Sequence, residues 1–138
     1  MRKWSMTNGS RPLPNFVVLN FLEQLCYGLL HAHACLIAHL DMKFDNALLD
    51  GSIPSSGDER LPLIKIGDWG LSRKLSSPFE HAANWKYSAH EAPELSQGVV
   101  GLSADMWSLG RMLYKLLKGG SFRPERNVDV SALDLSEM

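Results

Sequence analysis

Residues 37–49, Ile-Ala-His-Leu-Asp-Met-Lys-Phe-Asp-Asn-Ala-Leu-Leu, constrain this chain more than any other stretch. Five polar or ionisable side chains, His39, Asp41, Lys43, Asp45 and Asn46, fall within eight residues and are flanked by apolar ones. The flanks favour burial, and buried polar groups need partners. A loop held between two buried elements, with its charges facing a cleft, satisfies both demands better than one solvated helix face. Asp41 and Asn46 are five apart, and a further carboxylate, Asp68, follows an apolar strand-like run. One carboxylate able to accept a proton, with an amide and a second carboxylate able to hold a hard cation, outlines a phosphoryl-transfer site. The alternative, that Asp41 and Asp68 are solvated loop acids, leaves their apolar and glycine-rich surroundings unexplained.

The remaining elements are read around that loop. Asn8-Gly9-Ser10 and Pro12-Leu13-Pro14 are turn signals. From Asn15, Val18, Leu22, Leu25 and Leu29 recur at helical spacing, which predicts a helix to about Cys35 with Asn15 as its N-cap. The helix is apolar around much of its circumference and is expected in a core. His31 and His33 near its end are two apart, so they point to different faces and make a poor metal pair. Ala47–Leu49 and Leu63–Ile66 read as two short strands joined by a long loop, and residues 71–90 as an extended, surface-crossing segment. Ala92-Pro93-Glu94 and Gln97-Gly98 mark breaks. A second helix is predicted from Ser103, its N-cap, through Met106, Leu109, Leu113 and Leu116 to Gly119-Gly120. Asp105 in its first turn suits the helix dipole.

The order of these parts resembles that of protein kinases. His39-Leu40-Asp41-Met42-Lys43-Phe44-Asp45-Asn46 is similar to their catalytic loop, Asp68-Trp69-Gly70 to their D-F-G, and Ala92-Pro93-Glu94 to their A-P-E. Asp105-Met106-Trp107-Ser108-Leu109-Gly110 resembles the start of the family's long central C-lobe helix. The resemblance implies an α+β fold: a mainly helical kinase-like C-lobe, αD to αF in the family's lettering, with a short β hairpin. It implies a partial kinase domain over residues 1–120 and an irregular tail over 121–138, with the N-lobe and αG–αI largely absent from the chain.

Carried over by residue, Asp41 and Lys43 would be catalytic. Asp41 would accept or orient the proton of a substrate hydroxyl, and Lys43 would offset the charge of the transferred phosphate. Lys43, Asn46 and Asp68 would bind the cofactor, with Asn46 and Asp68 as ligands of Mg²⁺ beside ATP. Lys43, two after Asp41, matches the Ser/Thr class. His39 and Trp69 would be stacked core members, and Asp105 would hydrogen-bond the loop backbone, as an alternative to a dipole role alone. Ala47, Leu48, Leu49, Met112 and Leu116 would line or support the adenine side.

Departures from the family pattern bear on activity. Leu40 replaces an Arg that in many kinases binds a phosphorylated activation loop, and Leu cannot hydrogen-bond phosphate. Phe44 replaces a common Pro, and Trp69 replaces Phe. Tyr87-Ser88-Ala89-His90-Glu91 offers a second, imperfect register for the segment before Ala92. No Gly-x-Gly-x-x-Gly and no strand Lys of the Val-Ala-Ile-Lys type precede the loop. Two functions are therefore carried forward: ATP-dependent phosphorylation of Ser/Thr hydroxyls, and a truncated, catalytically inactive kinase fragment (a pseudokinase) acting as a binding module.

Composition sets the outer bounds. The chain's 138 residues suffice for one domain. Apolar residues at 45% and charged ones at 21% are ordinary for a globular protein. A formal net charge of −1 points to neither nucleic acid nor an anionic membrane; the kinase resemblance implies a protein substrate or partner protein. No apolar run reaches a membrane span and the N-terminus lacks a signal-peptide core, so a cytoplasmic or nuclear location is expected. Cys26 and Cys35 are expected as two buried thiols in a reducing compartment.

Overall fold

The computed structural model describes residues 2–3, 13–50, 61–82 and 92–118. Its order is β1 (Arg2–Lys3), α1 (Asn15–Ala34), β2 (Ile37–Ala38), a 3₁₀ turn (Phe44–Asn46), β3 (Ala47–Asp50), β4 (Leu63–Ile66), β5 (Arg73–Lys74), β6 (Phe79–His81), a second 3₁₀ turn (Pro93–Gln97), β7 (Val99–Gly101) and α2 (Ser103–Lys118). The described residues thus form an α+β unit of two helices and short antiparallel strand pairs. Pairing is β1-β3-β4 in one sheet, β2 with β5, and β6 with β7. Ala47 faces Ile66 and Asp50 faces Leu63 across the β3–β4 pair.

The α1 helix forms where its period predicts, but its cap differs. Pro14, not Asn15, holds the N-cap position, and no side chain caps the helix. Proline's fixed φ suits a helix entrance, and its carbonyl accepts the amides of Val17 and Val18 at 2.9 and 3.1 Å. Val17, Val18, Phe21, Leu25, Leu29 and Ala32 are buried. The helix is not buried all round: Phe16, Leu19, Tyr27 and Leu30 are exposed, the last three by about two-thirds (64%, 66% and 64%). At its C-terminal end the amides of Cys35 and Leu36 bond to Ala32 and His33 carbonyls, and Leu36 takes a left-handed φ of 57°. Cys35, just past the helix, is exposed and Cys26 half-buried, so the expected pair of buried thiols is absent.

The second helix begins at Ser103 as expected, yet the Ser103 hydroxyl donates to Glu94 Oε1 at 3.0 Å. Ser103 is the first residue of the helix itself, and its hydroxyl ties α2 to the Pro93–Gln97 turn. The Gly119-Gly120 stop, Tyr87 and its neighbours, and the 121–138 tail lie outside the described residues. The segment after β4 is extended, but two parts of it pair: β5 with β2, and β6 with β7. Gly98 closes the second 3₁₀ turn at φ 72°, a conformation glycine adopts without a side-chain clash.

Two apolar clusters hold the unit together. The first joins α1, β3, β4 and α2 through Phe21, Leu25, Leu29, Leu49, Leu109 and Met112, among others. The second gathers Ala38, Leu40, Leu75, Leu95, Val100 and Ala104. Residues 38–42 bridge them, because Ala38 and Leu40 belong to the second cluster and Met42 to the first. Each such aliphatic side chain contributes about 1.5–3 kcal/mol when fully buried. The polar residues between these anchors, His39 and Asp41, are thereby fixed in the space between two packed bodies.

Candidate functional site

The site is built on α2 before it is built on the loop. Asp105, in the first turn of α2, is fully buried at 0% exposure. Its Oδ2 accepts the backbone N–H of His39 at 2.8 Å, and its Oδ1 accepts that of Leu40 at 2.7 Å. His33 on α1 donates from Nε2 to the same carboxylate at 2.8 Å. Three donors compensate the burial of the charge, and bonds to an ionised acceptor are the strong kind. A role at the helix dipole alone is thus superseded, and His33, unpromising as a metal ligand, helps position this carboxylate instead.

His39 carries the restraint onward. Its ring accepts the Asp41 amide at Nδ1, 3.2 Å away, and donates from Nε2 to the Gly67 carbonyl at 2.9 Å. These two bonds together place the ring hydrogen on Nε2. Gly67 in turn donates its amide to the Asn46 carbonyl at 2.8 Å. A Cβ at Gly67 would stand 2.7 Å from Leu48 Cδ1, so glycine permits this close approach. Trp69 meets His39 edge-on, with centroids 4.6 Å apart and planes at 62°. Trp69 is 37% exposed, so it is not the stacked core member expected. Its indole N–H is satisfied locally by the Ile66 carbonyl at 3.2 Å.

Four of the expected site residues converge above this base. Lys43 donates to both oxygens of Asp41, at 3.0 and 2.7 Å. Buried Asn46 donates from Nδ2 to the Asp41 carbonyl at 2.7 Å and to Asp41 Oδ2 at 3.0 Å. Asp68, one residue beyond Gly67, is exposed and has a left-handed φ of 56°. The hydrogen bond that Lys43 donates to Asp41 raises its ammonium above the ordinary value of 10.5; burial opposes the rise, and the charges of Asp41, Asp45 and Asp68 add to it. Asp68 therefore lies within electrostatic reach of Lys43. Of the residues expected on the adenine side, Ala47, Leu49, Met112 and Leu116 are buried in the first cluster and Leu48 is half-buried.

The donor set suits a hard cation without making a closed cage. Asn46 is bonded through its nitrogen, and an amide's remaining ligand atom is its oxygen; Asp68 adds an exposed carboxylate. Two protein oxygens, completed by phosphate and water, are an ordinary Mg²⁺ arrangement. Among the described residues no three His, Cys, Asp or Glu side chains gather to hold a metal by themselves. No helix among them is long and apolar enough to cross a membrane.

Comparison with known proteins decides the family, since the model of the protein kinase domain matches residues 3–137. The chain belongs to the protein kinase family. Relatives that match it include serine/threonine-protein kinases. The chain is 36% identical over 104 residues to human death-associated protein kinase 2, a match spanning 74% of this chain and 26% of that kinase. It is 33% identical over 135 residues to serine/threonine-protein kinase PLK4 of Drosophila yakuba, spanning 96% of this chain and 16% of the relative. The match to PLK4 of Xenopus laevis is 32% over 126 residues, 90% of this chain and 12% of the relative. The chain thus spans about a quarter or less of the length of these kinases.

Sequence reasoning missed one group near this site. Ser108, Arg111 and Lys115 on α2 line a small pocket together with Lys43. Their spacing of three and four along one helix face was the available signal.

Proposed function

We propose that the chain is the C-lobe portion of a Ser/Thr protein kinase, with the domain over residues 1–120 and a tail over 121–138, acting as a transferase from ATP to Ser/Thr hydroxyls of protein substrates. The observation that carries this reading is the hydrogen-bonded group Asp41, Lys43 and Asn46 with Asp68 in electrostatic reach. In the transfer, the substrate oxygen forms a bond to the γ-phosphorus, the bond from that phosphorus to the bridging oxygen breaks, and ADP leaves. Asp41 orients the hydroxyl and takes its proton. For that, Lys43 must release one Asp41 oxygen and turn its charge toward the phosphate, which its half-exposed side chain permits. Asn46 and Asp68 would hold Mg²⁺, whose bound charge supplies neutralisation of the phosphate oxygens. Asp105 and His39 fix the loop so that little reorganisation is left to the reaction.

The test is Mg²⁺·ATP binding and phosphate transfer to a Ser/Thr peptide mixture, in the wild type and Asp41→Asn. Saturable binding with transfer that falls at least a hundredfold in the variant supports the reading. Absence of both binding and transfer in the wild type overturns it. A second reading, a catalytically inactive binding module, is favoured by one observation: an apolar groove of about 340 Å³ between α1 and α2, lined by Tyr27, Leu30 and Met106 among others. Binding of a partner protein by a chain that transfers no phosphate would select it. For either activity we propose a cytoplasmic or nuclear location.

A further inference from the structure

Beside the Asp41–Asn46 group, α2 presents a second polar feature that phosphoryl transfer itself does not use. Ser108, Arg111 and Lys115 follow one another by three and four residues and so share one face of the helix. With Lys43 from the loop they line a pocket of about 80 Å³, whose apolar lining includes Met42 and Met112. That volume exceeds the roughly 10–15 Å³ needed to admit a water, so a small charged group fits. Three of its lining residues are cationic, one is a hydroxyl, and among the described residues no carboxylate lines it. Lys43 is engaged by Asp41 and brings that pair to the pocket's edge. Arg111 is half-buried, and burial lowers its pKa from the usual value, the mark of a guanidinium whose hydration is partly removed. An anionic group entering the pocket would meet three cationic side chains.

We infer that the pocket between Arg111, Lys115, Ser108 and Lys43 receives an anionic side chain of the peptide substrate, making this a kinase for acidic or already phosphorylated sequences. This inference rests on the phosphoryl-transfer reading, because Lys43 joins the pocket to Asp41 and so sets a bound anion a short distance along the peptide from the reacting hydroxyl. Arg111 supplies a planar fork suited to carboxylate or phosphate, Lys115 a mobile point charge, and the Ser108 hydroxyl a neutral donor.

The experiment uses the full protein and matched Ser peptides in which one flanking position at a time carries Asn, Asp or phosphoserine. Equilibrium binding by fluorescence anisotropy and phosphate transfer are measured side by side. The expected result is at least tenfold tighter binding of an anionic peptide than of its Asn counterpart, with a lower KM, weakening as salt rises. Asp and phosphoserine arms separate the two sources of charge: comparable gains assign a general acidic preference, and a gain confined to phosphoserine assigns a pre-phosphorylated substrate. Arg111→Ala with Lys115→Ala should remove the preference, and Lys115→Glu should reverse it toward a Lys-containing peptide. If the double variant fails to fold by circular dichroism, Lys115→Glu alone carries the comparison, since Lys115 is only partly buried. Equal binding of Asn and anionic peptides by the wild type, or a preference unchanged in the folded variants, overturns the inference. Loss of transfer with the anionic preference in binding intact would strike the phosphoryl-transfer reading and leave the pocket assignment standing.

Discussion

Leu40 holds a left-handed φ of 64° while donating its amide to Asp105 Oδ1 at 2.7 Å. The two facts belong together. A non-glycine residue in that region costs about 1–2 kcal/mol, and it persists only where its surroundings insist on it. The buried carboxylate supplies one constraint, and the apolar cluster around Leu75, Leu95 and Val100 supplies the other. The position that is Arg in the kinase loop pattern His-Arg-Asp is, in this chain, an anchor point between two cores.

This arrangement predicts an inverted order of substitutions at residue 40. Leu40→Gly and Leu40→Ala both lose the aliphatic contact, but only glycine removes the left-handed penalty. Leu40→Gly should therefore be more stable than Leu40→Ala by about 1 kcal/mol, the reverse of the usual ranking. Urea unfolding midpoints decide it, and an alanine variant equal to or better than glycine would refute the argument.

Asp105→Ala should destabilise the chain by about 3–5 kcal/mol, because the buried amides of His39 and Leu40 and the His33 ring lose their shared acceptor. Asp105→Asn keeps one oxygen and should fall between. A change below about 0.5 kcal/mol in Asp105→Ala, typical of an unimportant surface site, would show that the carboxylate does not hold the loop.

The Lys43–Asp41 pair makes a prediction about pH. Folding raises the Lys43 value above 10.5, so from neutral pH up to about 10.5 the pair stabilises the folded chain, and the contribution is lost as pH rises through the raised folded value. Both groups are partly solvated, which limits the size to about 0.2–1 kcal/mol. The stability difference between wild type and Lys43→Met should thus stay constant from neutral pH to about 10 and shrink above it. A difference that varied between pH 7 and 9 would point to another group.

Asp68→Asn isolates the proposed metal role from folding. Asp68 is exposed with φ 56°, and Asn tolerates that conformation as well as Asp does. Stability should change by less than about 0.5 kcal/mol. Nucleotide binding measured with and without Mg²⁺ should lose its metal dependence by tenfold or more, and an unchanged Mg²⁺ dependence would remove Asp68 from the metal site.

The positions of α1, β3, β4 and α2 were legible because Val18, Leu25, Leu109 and Leu116 repeat with a helix period and Leu63–Ile66 is a compact apolar run. The loop motif was legible because its polar residues alternate with the apolar anchors Ala38, Leu40 and Met42. The caps were not. Asn15 and Ser103 have side chains suited to capping, but Pro14 holds the cap position in one case, and in the other Ser103 is the first helical residue, its hydroxyl donating to Glu94, nine residues upstream. The pairings of β5 and β6 escaped notice because strands of two and three residues carry no period. The bond from His33 to Asp105 spans 72 residues, a distance over which no local pattern operates.

That separation also has a consequence during synthesis. The amides of His39 and Leu40 precede their acceptor, Asp105, by 66 and 65 residues. At about 5–20 residues per second, roughly 3–13 seconds pass on the ribosome between the appearance of the loop and that of the carboxylate that shapes it. Through that interval the nascent loop has no template for its left-handed turn, and the site takes shape only when the first turn of α2 arrives.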